Sequence, residues 1–251
     1  PYNRILLDKK SVNYSLLNSI LDEYQIVDQV NPEQRMKAIK NPVELENIRK
    51  AHVQDAAAVI HFIRWVKEHV GKETITELSA SEYLAGCRRR QPGFLDLSFE
   101  TIAAYGPNAA MMHYQPGEKS NVELKPEGLL LVDSGGHYRE GSTDITRTIV
   151  LGSLTDEEKR MYTSVCIGNL ALANARFLHG CSGLNLDILC RAPLWKQGID
   201  YKCGTGHGNG YLLNVHEGPN GFRWRMRKDS ATVLEEGMVT TDEPGVYMEG
   251  R

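Results

Sequence analysis

The chain has 251 residues, 24% charged and 41% hydrophobic, with a net charge of −3. That balance describes an ordinary globular domain and excludes a disordered or collagen-like chain. Acids and bases are mixed along the sequence, and no apolar run reaches the length of a membrane span, so neither a nucleic-acid nor a membrane surface is expected. The five cysteines are odd in number and no pair has C-x-x-C spacing, which argues against a disulfide framework or a zinc knuckle and for a reducing cytoplasm.

Residues 4–30 read strand, helix, strand: RILLD, a helix capped by Ser11 and running to Ile20, then YQIVDQV. The piece is too small for a core of its own and reads as the C-terminal remnant of a preceding α/β domain. Asn31-Pro32 to Asn41-Pro42 reads as a hinge, placing domain boundaries at 1–40 and 41–251. A long helix is predicted to follow. Asn41 suits its N-cap, Pro42 its first position, Glu44 the capping-box return and Gly71 its end. Its apolar stripe runs Leu45, Ile48, His52, Ala56, Val59, Ile63, Val66, Val70; His52, His61 and His69 read as packing or surface residues.

A second helix is predicted from Ser79 to Arg90, with Arg88-Arg89-Arg90 as a solvated end. Phe99–Tyr105 reads as a strand, Gly106-Pro107-Asn108 as a turn, and Ala109–Tyr114 as a short strand carrying His113. Leu129–Val132 is an apolar strand that delivers Asp133 to its end, followed by a flexible Ser134-Gly135-Gly136. The β-branched run Ser142–Val150 returns from a loop near Tyr138–Glu140, so Asp133 and Asp144 are expected roughly opposite each other. Two carboxylates that close repel unless a proton or a cation sits between them.

Thr155 and Glu158 open a helix expected to reach His179, and a shorter one covers Leu186–Gln197. Then come GTGHGNG around His207, a basic link FRWRMRK, and Gly237–Gly245, GMVTTDEPG, read as a strand with two acids.

Several motifs are excluded. DSGGHYREGSTD has Tyr138 where a calcium loop needs its turn glycine, GTGHGNG lacks the third glycine of a dinucleotide fingerprint, and His216-Glu217 has no second histidine four residues on. What remains is Asp133, Asp144, His207 and Glu243, each near a strand end beside Gly or Pro. Three carboxylates and an imidazole suit Mn²⁺ or a similar divalent ion better than a thiolate zinc site. Such a set could hold two ions roughly 3.5–4 Å apart, yielding hydroxide near neutral pH and polarising a carbonyl, which is amide-hydrolysis chemistry.

VDSGGHYREGSTDITRT, GTGHGNGYLLNVHEGP and EEGMVTTDEPGVY, in this order, resemble the aminopeptidase P group of the pita-bread metallopeptidases, over residues 41–251. The resemblance implies an α+β fold with a curved, mostly antiparallel sheet cupping the metals. It implies hydrolysis of an N-terminal Xaa-Pro bond by a hydroxide bridging two divalent ions, Mn²⁺ or else Co²⁺ or Zn²⁺. Asp133, Asp144, His207 and Glu243 fall on metal ligands, with Asp144 between the ions; His113 and His216 fall on catalytic histidines that face the substrate, as His207 also does. The implied partners are peptides with proline in second position and a second copy of the chain, with a cytoplasmic location. Asp242 has no ligand role by this match. Cys203 stands where the family has a histidine, and the family's last glutamate ligand falls past Arg251, so a chain truncated before that ligand is expected. The alternatives are an inactive binding module on this scaffold, or a prolidase-type dipeptidase.

Overall fold

The structure, a computed structural model, describes residues 3–20, 24–227 and 231–250. The chain forms two compact units, Pro1–Lys37 and Ala38–Arg251. In the first, β1 (Arg4–Leu7) and β2 (Gln25–Asp28) pair in parallel across α1 (Tyr14–Ile20). Asn13, not Ser11, caps α1: its side chain accepts from the Ser15 and Leu16 amides at 2.9 and 3.3 Å. The expected hinge contains a helix, α2 (Pro32–Ala38). Asn31-Pro32 is a helix-start signal as much as a turn signal, and Glu33 early and Lys37 late suit the dipole.

The larger unit has two halves. In the first half, α3 (Pro42–His69) starts with the full capping box: Asn41 accepts from Val43 and Glu44, and Glu44 accepts from the Asn41 amide at 2.8 Å. Gly71, at φ +78, supplies the left-handed turn that ends the helix. α4 (Glu77–Arg89) begins two residues earlier than expected, because Thr76 and Ser79 form the capping box. Arg88 is fully buried, which overturns its reading as a solvated helix end. Both helices pack on a sheet of β3 (Phe94–Tyr105), β4 (Leu129–Tyr138), β5 (Gly141–Ser142) and β6 (Ile145–Val150), all antiparallel, with β4 paired to the other three. Three register shifts between β3 and β4 bend the sheet. Val59, Phe62 and Val66 of α3 and Leu84 of α4 meet Leu130, Val132 and Ile149 in the main core.

β4 does not stop at Asp133. It runs through Gly135 and Gly136, which pair with Phe99 and Leu97, so that stretch is ordered strand. A Cβ on Gly135 would lie 2.0 Å from the Thr143 carbonyl, and only glycine lets the return strand come that close. Ala109–Tyr114 is not a strand. A 3-10 turn (Gly106–Ala110) opens a loop closed by the buried Glu77 carboxylate, which accepts from the Tyr105 and Val122 amides, Asn108 Nδ2 and the Tyr114 hydroxyl.

In the second half, α5 (Asp156–Ala173) opens on the Thr155–Glu158 box. It ends before His179 because the Asn174 side chain caps the Leu170 carbonyl at 2.8 Å. The expected single helix at 186–197 is two: α6 (Gly183–Leu186) and α7 (Ile188–Trp195). β7 (Gly206–Asn209) and β8 (His216–Phe222) form an antiparallel pair. Residues 237–245 form no regular strand, only isolated bridges from Met238 to Ile39 and from Thr240 to Gly208. Val239–Glu243 still runs beside β7 through three hydrogen bonds: Asn209 N to Val239 O, Thr241 N to His207 O and Glu243 N to Thr205 O, at 3.0, 2.8 and 2.7 Å. Lys228, closing the basic link, lies outside the described residues. Among the described residues no helix is long and apolar enough to cross a membrane, and the five cysteines are free.

Candidate metal centre

Each half contributes two of the four expected ligand residues. Asp133 sits in the middle of β4, where it pairs with Thr146 of β6 and not with Asp144. The Thr146 hydroxyl donates to Asp133 Oδ1 at 2.6 Å. Asp144 lies in the unpaired step between β5 and β6. The register expectation is therefore off by two residues, yet the two carboxylates still converge: oxygens of Asp133, Asp144 and Glu243 all lie within 4.8 Å of one another. Ligating atoms of Asp144, His207 and His216 form a second group on the same criterion.

From the second half, β7 brings in His207. Its backbone amide donates to Thr241 Oγ1 at 2.9 Å, and Nδ1 lies 3.0 Å from the Gly208 carbonyl. A carbonyl only accepts, so Nδ1 carries the proton and Nε2 points into the cluster. Nε2 lies 3.2 Å from Asp144 Oδ2 and 3.2 Å from Glu243 Oε1, yet it is buried without an aligned hydrogen-bond partner. The glycines beside it are needed for approach: a Cβ on Gly206 would lie 2.0 Å from Thr241 O. Glu243 is aimed by its amide bond to Thr205 O and by a hydroxyl bond from Thr241 to Oε1.

The electrostatics follow from three acids and one imidazole in a small volume. Burial raises the Asp133 carboxyl to about 6, with Asp144 and Glu243 adding to it against the Thr146 bond. Burial opposes a charge on His207, but Asp144 and Glu243 outweigh it and push the imidazole up to about 10. Burial also opposes ionised Glu243, but His207 and Thr241 outweigh it and hold the carboxyl below its usual range. The cluster draws positive charge to itself. An orphaned Nε2 facing carboxylate oxygens, with Nδ1 fixed on a carbonyl, is the arrangement a metal-ligating histidine takes. The donor set fits hard divalent cations.

His216 on β8 lies against His207, ring centroids 4.1 Å apart at 61°. Burial and the neighbouring His207 charge hold its imidazole below the ordinary value. His113 is exposed and outside both ligating groups. Asp242 is turned away: it accepts from the Cys190 thiol at 3.5 Å, and burial pushes it up to about 6. Cys203 belongs to neither ligating group, and burial raises its thiol. Asp133, Asp144 and Glu243 open onto a cleft of about 920 Å³ whose other walls include Tyr105, Met112 and Tyr247. Sequence reading missed the threonines at 143, 146, 205 and 241 that fasten these segments; their only signal was a position one or two residues from an expected ligand.

The sequence signature of metallopeptidase family M24 matches residues 46–251. The chain belongs to that family. M24 membership carries the pita-bread fold with it, in agreement with the bent antiparallel sheet and flanking helices. The chain is 41% identical to Aminopeptidase P1 of Arabidopsis thaliana over 99% of its own length and 41% of that protein's. It is 42% identical to a probable Xaa-Pro aminopeptidase P of Laccaria bicolor over 92% of this chain and 36% of the relative. Among solved M24-like structures, an X-prolyl aminopeptidase from Caenorhabditis elegans, described as cytosolic with a di-nuclear active site, superposes with a TM-score of 0.86. That pair is 37% identical, covering 93% of this chain and 38% of the other. A prolidase from Pyrococcus furiosus superposes with a TM-score of 0.82 at 26% identity, covering 99% of this chain and 69% of the other. The chain spans about two fifths of the length of such curated relatives.

Proposed function

We propose that the protein carrying this chain is a metal-dependent Xaa-Pro aminopeptidase, hydrolysing the bond between an N-terminal residue and a following proline. The observation that supports it most is the convergence of Asp133, Asp144, His207 and Glu243, drawn from both halves of the larger unit. These residues would hold two divalent ions, with Mn²⁺ the preferred metal for so oxygen-rich a set. Divalent ions held by these residues would supply an activated water near neutral pH and Lewis-acid polarisation of the scissile carbonyl.

The chain's own groups do the rest. Thr146 and Thr241 fix the carboxylates of Asp133 and Glu243 so that their free oxygens face the cleft. Nδ1–H of His207 stays on the Gly208 carbonyl, which keeps Nε2 as the ligating atom. His216, beside His207 and at the open side, donates a hydrogen bond to the carbonyl oxygen as charge builds on it. His113, exposed on its loop, contacts the peptide from the rim. The greater likeness to aminopeptidases P than to the prolidase supports release of a first residue from longer peptides over cleavage of dipeptides. A cytosolic setting is supported by the five free thiols and by the description of the C. elegans neighbour.

The test uses the full protein with Mn²⁺ on an Xaa-Pro-Xaa peptide and a proline-free control. Metal-dependent release of the first residue from the proline peptide alone is expected. Release from Xaa-Pro dipeptides only, or no metal-dependent release, overturns the reading.

A further inference from the structure

Two fully buried aspartates lie outside the cluster, and each is bonded to a fully buried arginine and to a buried threonine. Asp55, on α3, accepts from Arg88 Nε and Nη2 at 2.6 and 3.0 Å, from the Tyr138 hydroxyl at 2.8 Å and from Thr143 Oγ1 at 2.8 Å. Asp187, between α6 and α7, accepts from Arg191 Nε at 2.6 Å and from Thr205 Oγ1.

Every polar atom of the two threonines is engaged. Thr143 Oγ1 donates to Asp55 and accepts the Gly136 amide at 2.9 Å; its own amide donates to Gly136 O at 2.9 Å, and its carbonyl accepts Ser98 Oγ at 2.9 Å. Thr205 Oγ1 donates to Asp187 and accepts the Tyr201 hydroxyl at 2.5 Å; its amide donates to Phe222 O at 2.9 Å, and its carbonyl accepts the Glu243 amide at 2.7 Å. Thr143 is one residue before Asp144. Thr205 is two residues before His207 and directly hydrogen-bonded to the backbone of Glu243.

A buried ion pair is a poor way to stabilise a fold, since desolvation offsets the attraction and apolar packing often does better. It does fix direction. A threonine with one hydroxyl hydrogen committed to a carboxylate has neither rotamer nor backbone freedom left. Metal ligands must be placed within a few tenths of an ångström. Both halves use one device, a threonine bonded to a buried aspartate, within two residues of an expected ligand.

We infer that Thr143 and Thr205 are positioning residues of the metal centre, each locked by a buried aspartate–arginine pair, so that Asp144 on one side and His207 with Glu243 on the other arrive pre-aimed. The inference rests on the metal-binding reading above and adds to it the groups that set the ligand geometry.

The experiment compares Thr143→Val and Thr205→Val with Thr143→Ser and Thr205→Ser in the full protein. Valine keeps the shape and removes the hydroxyl; serine keeps the hydroxyl. Mn²⁺ affinity is read by titration, and amide hydrogen exchange is read at Gly136 and Glu243 in chelated protein. The valine variants are expected to bind Mn²⁺ about 10–100-fold more weakly, with faster exchange at Gly136 for Thr143→Val and at Glu243 for Thr205→Val. The serine variants are expected to stay near the unaltered protein in both readouts. Valine variants that bind as tightly as the unaltered protein overturn the proposal. Equal losses for valine and serine assign the effect to the methyl group, and outright unfolding of the valine variants assigns the hydroxyls to the fold; either overturns it too. If the unaltered protein binds no Mn²⁺, the metal reading falls by itself. The exchange rates then decide the positioning role: unchanged rates in the valine variants sink it, and faster rates at the two named amides sustain it.

Discussion

Arg88 and Arg191 are both fully buried and both paired with a fully buried aspartate, but their remaining contacts differ. Arg88 gives Nε and Nη2 to Asp55, and its Nη1 has no hydrogen-bond partner. Arg191 adds Asp200, the Tyr201 and Cys203 carbonyls, and a Tyr201 ring 3.8 Å from its guanidinium carbon. Arg88 thus concentrates its side-chain bonds on one acceptor, Asp55, while Arg191 spreads its own along the 200–205 loop. The difference follows from position. Arg88 ends a helix packed against a complete sheet and meets only side chains, whereas Arg191 faces a loop that offers its own carbonyls. The first design is rigid and depends on a single residue; the second tolerates loss because it is redundant.

The sharpest break removes what the halves share. Asp144→Ala takes away the carboxylate common to both candidate ligating groups, and metal-dependent release of the first residue in the peptide assay is expected to fall below detection. Next, Asp55→Ala should destabilise by about 3–5 kcal/mol, because it leaves Arg88 buried and uncompensated. Asp187→Ala should cost less, since Arg191 keeps Asp200 and two carbonyls. Urea unfolding of both variants measures the gap, and equal losses would erase the contrast between the halves. Glu77→Gln tests the loop that carries His113. An amide has one acceptor oxygen where four donors converge, so a loss of about 1–3 kcal/mol is expected with a raised KM.

A pH series probes the junction of the halves in chelated protein. The His207 imidazole is raised from 6.5 to about 10 by the two carboxylates, so the folded state binds its proton more tightly than the unfolded chain does. That stabilisation is complete below pH 6.5 and is lost as pH climbs through about 10. Urea midpoints should fall across that window, and His207→Asn should flatten the slope. The smallest effect should be equal on both sides: Asn41→Ala and Thr155→Ala each remove a capping-box residue at about 1 kcal/mol, read as thermal midpoints.

Composition, capping residues and local periodicity determined what depends on neighbours in the chain. Asn41-Pro42 with Glu44 and Thr155 with Glu158 marked helix starts because the bonds they make close within four residues. The apolar run Leu129–Val132 marked a buried strand, and the acids at 133, 144 and 243 with His207 marked a candidate centre because hard donors beside glycine and proline are rarely placed for packing. Tertiary structure alone decided the rest. Whether Gly135-Gly136 is loop or strand depends on β3 arriving to pair with it, and whether Arg88 is solvated depends on Asp55, thirty-three positions away. The pairing of Asp133 with Thr146, the closing of the 106–121 loop on Glu77 and the bond from Glu243 to Thr205 all join residues whose attraction acts only after the fold has brought them within hydrogen-bonding distance. Directional bonds of that range leave no periodic trace in the sequence, and here they aim the site.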